Sequence, residues 1–176
     1  LKINKINIGV ESALDDVLAF LGKGYTAEEA FVQLEKLGEA GMEFGLNFIL
    51  GAEGGGNFRR SAAANAEMIN RVSPYMVFVG TLHAEEGCAL YDEIACGRFR
   101  ENTLRQLLDE EKQLLSGISA ETAFFGTHPS NAVPLFGALP SDVGVMLDKI
   151  SAFEDSAPAS VLDSVPEKGE EGAIIL

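Results

Sequence analysis

The chain has 176 residues, 47% of them hydrophobic and 23% charged. That is enough for one domain that buries roughly 70% of its unfolded surface, and it excludes a wholly disordered chain. Thirteen basic against 27 acidic residues give a net charge of -14, a field that repels phosphate backbones and excludes nucleic-acid binding by bulk electrostatics. Short apolar runs such as Met76 to Val79 fall far below the ~20 residues of a membrane span, so no membrane association is expected.

The first strand-like run is Ile3 to Val10, and Glu11 follows at its tip. A carboxylate there either holds an ammonium or a ribose hydroxyl, or serves as a solvated or helix-capping acid. Thr26-Ala-Glu-Glu29 reads as a capping box opening a helix whose Ala30, Phe31, Leu34 and Leu37 form an apolar stripe, with Gly41 as the stop. The second run, Glu43 to Leu50, leads into Gly51-Ala-Glu-Gly-Gly-Gly-Asn57. A glycine-rich turn lets a ligand approach bare backbone amides, and equally serves as a plain flexible loop. It has neither Walker nor dinucleotide-fingerprint spacing. Arg59 and Arg60 beyond it either bind an anion or face water.

A helix is expected from Arg59 to Val72, then a third strand from Tyr75 to Leu82, followed by His83. Cys88 and Cys96, with seven residues between them in one helical stretch, are read as reduced thiols of a cytoplasmic protein, since two cysteines cannot build a disulfide framework. Leu104 to Leu115 reads as a helix with its leucines on one side and its acids on the other. The fourth strand, Thr122 to Gly126, is followed by Thr127-His128-Pro-Ser-Asn131, so both histidines of the chain fall after strands. A metal pair with Glu85 or Glu86 is one reading of them, and a structural role is the other. A last helix is expected over Ser141 to Phe153, with a Pro-, Ser-, Glu- and Gly-rich mobile tail over Ala157 to Gly172.

Strands alternating with helices argue for right-handed βαβ units: an α/β chain of about four parallel strands with helices on the outer face. Four such strands cannot close an eight-stranded barrel and form an arc with open edges and an uncovered inner face. A partner, self-association or further chain is expected there. The opening Leu-Lys-Ile-Asn shows neither an initiator Met nor a basic-then-apolar leader, and is read as the start of an excised piece.

In order, these phrases resemble a known family. Ile8-Gly-Val-Glu-Ser12, Asp16-Val-Leu18, Gly22-Lys-Gly24 and Thr26-Ala-Glu-Glu29 look like the second half of a radical S-adenosylmethionine core, a partial (β/α)6 barrel. Phe48-Ile-Leu-Gly51 resembles its next strand and loop. Gly87-Cys-Ala-Leu-Tyr91 with Glu93-Ile94 and Gly97-Arg-Phe99 resembles a later run of the family. His128-Pro-Ser-Asn131, Pro134-Leu135, Gly137 and Leu139-Pro140 are similar to the end of an uncharacterised Fe–S oxidoreductase subgroup.

The resemblance implies a C-terminal half of a partial barrel over residues 1–153, with 154–176 as a flexible acidic tail. Glu11 and Lys23 would meet the methionine end or the ribose of S-adenosylmethionine. Asn47 would approach the ribose, and the loop containing Gly51 and Gly54 would run by the adenine. His83, His128 and Asn131 would face an unidentified substrate. The Cys-x3-Cys-x2-Cys motif that holds the family's [4Fe-4S] cluster is absent. No cluster, no metal and no activity are therefore expected of this chain alone, and its partner would be the missing N-terminal half. The alternatives are a non-enzymatic α/β binding module, or a metal-dependent barrel enzyme using His83 and His128.

Overall fold

The computed structural model describes residues 3–168 and 174–175. β1 (Lys5–Glu11), β2 (Glu43–Leu50), β3 (Met76–Thr81), β4 (Thr122–Gly126) and β5 (Leu135–Leu139) form one sheet in the order β1-β2-β3-β4-β5. The first three pairings are parallel, and β4 pairs with β5 antiparallel. The sheet therefore has four parallel strands, as expected, plus a fifth that the sequence reading did not include. The strand order is linear, so the sheet is open at β1 and β5.

The helices are α1 (Asp15–Phe20), α2 (Ala27–Glu39), α3 (Phe58–Val72), α4 (Ala89–Ala95), α5 (Leu104–Gly117), α6 (Val143–Ser156) and α7 (Ala159–Leu162). A small antiparallel pair joins β6 (Glu167–Lys168) to β7 (Ile174–Ile175). Thr26 forms the expected capping box with Glu29, and Thr103 forms a second one with Gln106 at the start of α5.

One sheet face carries the core. Phe44, Leu46, Phe48 and Leu50 of β2 and Val77 and Val79 of β3 are buried against leucines of α5 and Ala62, Ala66 and Ile69 of α3. The alanines of α3 allow close approach: a Cβ at Gly117 of α5 would meet Ala66. Along the opposite face, register places Gly9, Asn47, Phe78, Phe125 and Phe136 in one row across the sheet. Within it Phe78 stacks on Phe125 at 5.0 Å and Phe125 meets Phe136 edge-on at 4.7 Å.

Three local expectations are corrected. Cys88 and Cys96 cap α4 rather than lying inside it, with Cys88 half-buried and Cys96 exposed. The acids of α5 do not all face water, because Glu110 and Glu111 are 1% and 2% exposed. Part of the stretch read as a mobile tail is docked: Leu162 is buried, Leu104 N donates to Ser164 O at 2.9 Å, and Arg105 pairs with Asp163. Residues 169–172 of that stretch lie outside the described residues. Among the described residues no helix is long and apolar enough to cross a membrane.

Candidate functional site

At the C-terminal ends of the parallel strands, on the face the helices leave uncovered, lies a cleft of about 440 Å³. Glu11, Asn47, Phe78, His83, His128 and Ser130 are among its walls. In parallel α/β sheets this end of the strands is where loops converge and ligands bind. A second groove of about 430 Å³ runs between β1 and α2. Ile8, Val10, Leu34 and Leu37 dominate its walls, Tyr25 at its edge donates to Gly9 O, and its acid, Glu29, is committed to the capping box, so it offers mainly packing surface.

Glu11 closes β1 with φ +70°, a left-handed backbone unusual for a residue with a side chain. The register slips between Gly9 and Glu11 there. Glu11 Oε1 folds back to 3.0 Å from Lys23 Nζ, and Lys23 also donates to the Gly9 carbonyl at 3.2 Å. Tyr25 donates to the same carbonyl at 3.2 Å. A side chain at position 9 would collide with the Glu11 carboxylate, so the glycine makes the fold-back possible. Lys23 thus reaches the cleft through Glu11.

Asn47 Oδ1 is buried without a hydrogen-bond partner, and so is His83 Nδ1. The other ring nitrogen of His83 lies 3.9 Å from Glu85 Oε1. Unpaired buried polar atoms cost stability and mark places where another group completes the bonding.

His128 is oriented differently. The Ser130 amide donates to Nδ1 at 3.2 Å, and the Ser130 hydroxyl lies 2.7 Å from the same nitrogen. That hydroxyl oxygen already accepts from Thr81 N at 2.9 Å, so its own hydrogen points to the ring. Nδ1 is therefore an acceptor, and the bonding assigns the neutral ring proton to Nε2.

Four expected site residues do not line this cleft: Lys23, which reaches it only through Glu11, and Asn131, Gly51 and Gly54. Asn131 is buried behind it: Nδ2 donates to Val79 O at 2.9 Å and Gly126 O at 3.1 Å, and Oδ1 accepts from Thr81 Oγ1 at 3.0 Å. It ties the tips of β3 and β4 together, with its amide fully used. Gly51 N donates to Glu110 Oε2 at 3.0 Å. Gly54 N donates to Gly51 O, and the Phe99 ring packs so closely that a Cβ there would collide. The amides of Gly55 and Gly56 are taken by Arg100 O and Asn102 Oδ1. The loop read as presenting free amides turns them inward, because the chain after α4 folds over it.

Arg60 bonds Asp16 and Glu53, and Arg59 lies over the Phe58 ring. Sequence reasoning missed the buried carboxyls Glu110 and Glu111. Burial pushes Glu110 up to about 7, and burial together with the Glu110 charge pushes Glu111 up to about 8. The signal was present for Glu111, which is three residues after Leu108 and four before Leu115, on the apolar stripe itself.

Among the described residues no group of three or more His, Cys, Asp or Glu is placed to hold a metal ion. Cys88 and Cys96 stand at opposite ends of α4, about 12 Å apart along the helix axis.

No family model and no curated protein matches the sequence. A solved structure does resemble the fold: archaeal Elp3 from Methanocaldococcus infernus with an N-terminal deletion (1–46), at a TM-score of 0.64 and 17% identity. The match covers 88% of this chain and 37% of that one, so the chain spans little more than a third of its structural neighbour. At that identity the likeness shows a shared α/β fold.

Proposed function

We propose that this chain is the second half of a radical S-adenosylmethionine-type barrel, and that its cleft binds the polar end of S-adenosylmethionine beside a substrate of unassigned identity. The Elp3 neighbour, a member of that superfamily, supports the reading at the level of fold. The observation that carries it is the meeting, in one strand-end cleft, of the Glu11 carboxylate, held by Lys23 from outside the cleft wall, and the unpartnered Asn47 Oδ1.

The donor set fits an amino-acid end and a ribose. Glu11 can accept from an ammonium or a hydroxyl, Lys23 can meet a carboxylate, and Asn47 Oδ1 can accept from a ribose hydroxyl. An iron–sulfur cluster does not fit this chain, whose two cysteines cap opposite ends of one helix. In the proposed assembly the N-terminal half of the parent would hold the cluster. Such a cluster, once reduced, would supply the electron for cleaving S-adenosylmethionine bound to it. In the proposed role this chain's residues bind and orient: Lys23 holds the Glu11 carboxylate in place, and Phe78 and Ile49 provide an apolar wall to the cleft.

Two experiments test the reading. The coding sequence upstream of Leu1 is expected to encode Cys-x3-Cys-x2-Cys within about one domain length, 100–200 residues. An upstream sequence without that triad overturns the assignment. In the parent protein, Glu11→Gln and Asn47→Ala should each weaken S-adenosylmethionine binding by roughly tenfold in equilibrium dialysis, with circular dichroism unchanged. Unaltered binding in both removes the cleft from the cofactor site.

A further inference from the structure

The cleft changes character across the sheet. Glu11 and Asn47 belong to the proposed cofactor end, Ile49 and Phe78 are apolar, and His83 and His128 follow the tips of β3 and β4. His128 is held there by its neighbours. Asn131 N donates to His128 O at 2.9 Å and closes the turn after β4. The ring lies on the bare backbone of β3, where a Cβ at Gly80 would stand 3.6 Å from the ring Cγ. Thr81 N donates to Ser130 Oγ at 2.9 Å, which leaves the hydroxyl hydrogen for His128 Nδ1 at 2.7 Å, and the Ser130 amide donates to the same nitrogen at 3.2 Å. Thr81 and Ser130 are both buried, so water does not compete for these bonds.

With Nδ1 accepting, the neutral ring carries its proton on Nε2, on the edge opposite Ser130. His128 is exposed and lines the cleft, so this edge is the one a ligand meets. The surrounding charge narrows what it meets. Among the described residues lining the cleft there is neither Lys nor Arg, Glu11 is the one acid, and the chain has a net charge of -14. A carboxylate or phosphate at His128 would enter a negative field with no cation beside it. A cation would find a donor where it needs an acceptor. An uncharged carbonyl oxygen accepts from Nε2 without either cost, and Ile49 and Phe78 cover an apolar body attached to it. His83 Nδ1, buried without a partner, is a second polar point for the same ligand.

We propose that Thr81 and Ser130 fix His128 as an Nε2–H donor to an uncharged carbonyl oxygen, so that the substrate beside the cofactor is a neutral amide, ketone or ester on an apolar or aromatic body. Its being a substrate rests on the proposed cofactor site, whereas the donor role of His128 stands without it. Ser130 is a positioning residue that acts through the ring.

The test is NMR titration of the chain, repeated on Phe136→Glu so that self-association through the open face does not mask the cleft. At about pH 8, where imidazoles are neutral, long-range proton–nitrogen spectra should place the His128 proton on Nε2. Ser130→Ala should admit the other tautomer, a change that a merely structural serine would not produce. Benzamide, benzoate and benzylamine share one ring and differ in head group. Benzamide should shift the His128 ring resonances and bind roughly fivefold tighter than the other two. His128 is exposed, so His128→Phe leaves the core intact, and it should weaken benzamide by about fivefold. A proton on Nδ1, equal or tighter binding of benzoate or benzylamine, or benzamide binding unaltered in His128→Phe overturns the donor assignment. So does the absence of benzamide binding up to about 10 mM. Loss of the benzamide result with S-adenosylmethionine dialysis intact removes this inference alone, and the reverse outcome removes the cofactor site alone.

Discussion

Lys23 Nζ lies 3.0 Å from Glu11 Oε1 and donates at the same time to the carbonyl of Gly9, two residues before Glu11. One ammonium thus ties the carboxylate of a residue at φ +70° to the backbone two residues before it. The left-handed conformation costs about 1–2 kcal/mol for an L-residue, and the half-buried pair returns a similar amount. Glu11→Gly should remove the strain and the pair together, leaving stability within about 1 kcal/mol of the unmodified chain, while the proposed S-adenosylmethionine binding would be lost. Lys23→Met should keep the strain and lose the pair, costing about 1–2 kcal/mol. Urea unfolding of the two variants gives the stability order, and equal losses in both would contradict this account of the strain.

Asn131 supports the cleft from behind. Its replacement by Ala strands Val79 O, Gly126 O and Thr81 Oγ1 in the interior. The expected cost is about 3 kcal/mol, and the tips of β3 and β4 should loosen with it. Chemical denaturation measures the first effect. NMR measures the second as a changed His128 ring environment, because Ser130 sits between the two residues. A loss below about 0.5 kcal/mol would mean that the three bonds are not maintained in solution.

The parallel strands were legible because their signals are local. Glu43–Leu50 and Thr122–Gly126 are apolar runs that form strands with the bounds read from the sequence. β5 was not read because Pro134, Gly137 and Pro140 punctuate Leu135–Leu139, and its alternation becomes visible only when Leu135, Gly137 and Leu139 face the core. α1, six residues long, was too short to show periodicity. Strand-tip reasoning brought Glu11, His83 and His128 to one cleft, because position along a parallel strand determines the end of the sheet on which a residue emerges, whereas Asn47 came from the family resemblance. It could not see that Asn131 spends its amide on Val79 and Gly126, or that Gly51 serves Glu110, since those partners are 52, 5 and 59 residues distant.

The row Phe78–Phe125–Phe136 lies on the sheet face that the helices leave open, and Phe136 is 59% exposed. In the proposed parent this face meets the N-terminal half. In the isolated chain it is expected to drive reversible self-association at tens of micromolar. Phe136→Glu should shift sedimentation toward monomer while leaving the circular dichroism spectrum unchanged. A chain that is already monomeric at that concentration would show that the open face is not sticky enough to pair.

Glu111 should set a slope in the pH dependence of stability. Its carboxyl is raised from 4.5 to about 8 by burial and by the neighbouring Glu110 charge. The folded state therefore holds this proton more tightly than the unfolded state, and stability falls as pH rises from about 4.5 through about 8. Below that window the protonated acid costs little. Above it the chain must either ionise Glu111 in the core or unfold. Glu111→Gln, nearly isosteric and always neutral, should gain on the order of 4 kcal/mol over the parent above the window and almost nothing below it. A shallower slope should remain in the variant, since Glu110 is raised to about 7 in the same direction. Urea midpoints across the pH range read both slopes. Parallel curves for parent and variant would mean that Glu111 reaches solvent and titrates there as an ordinary carboxylate.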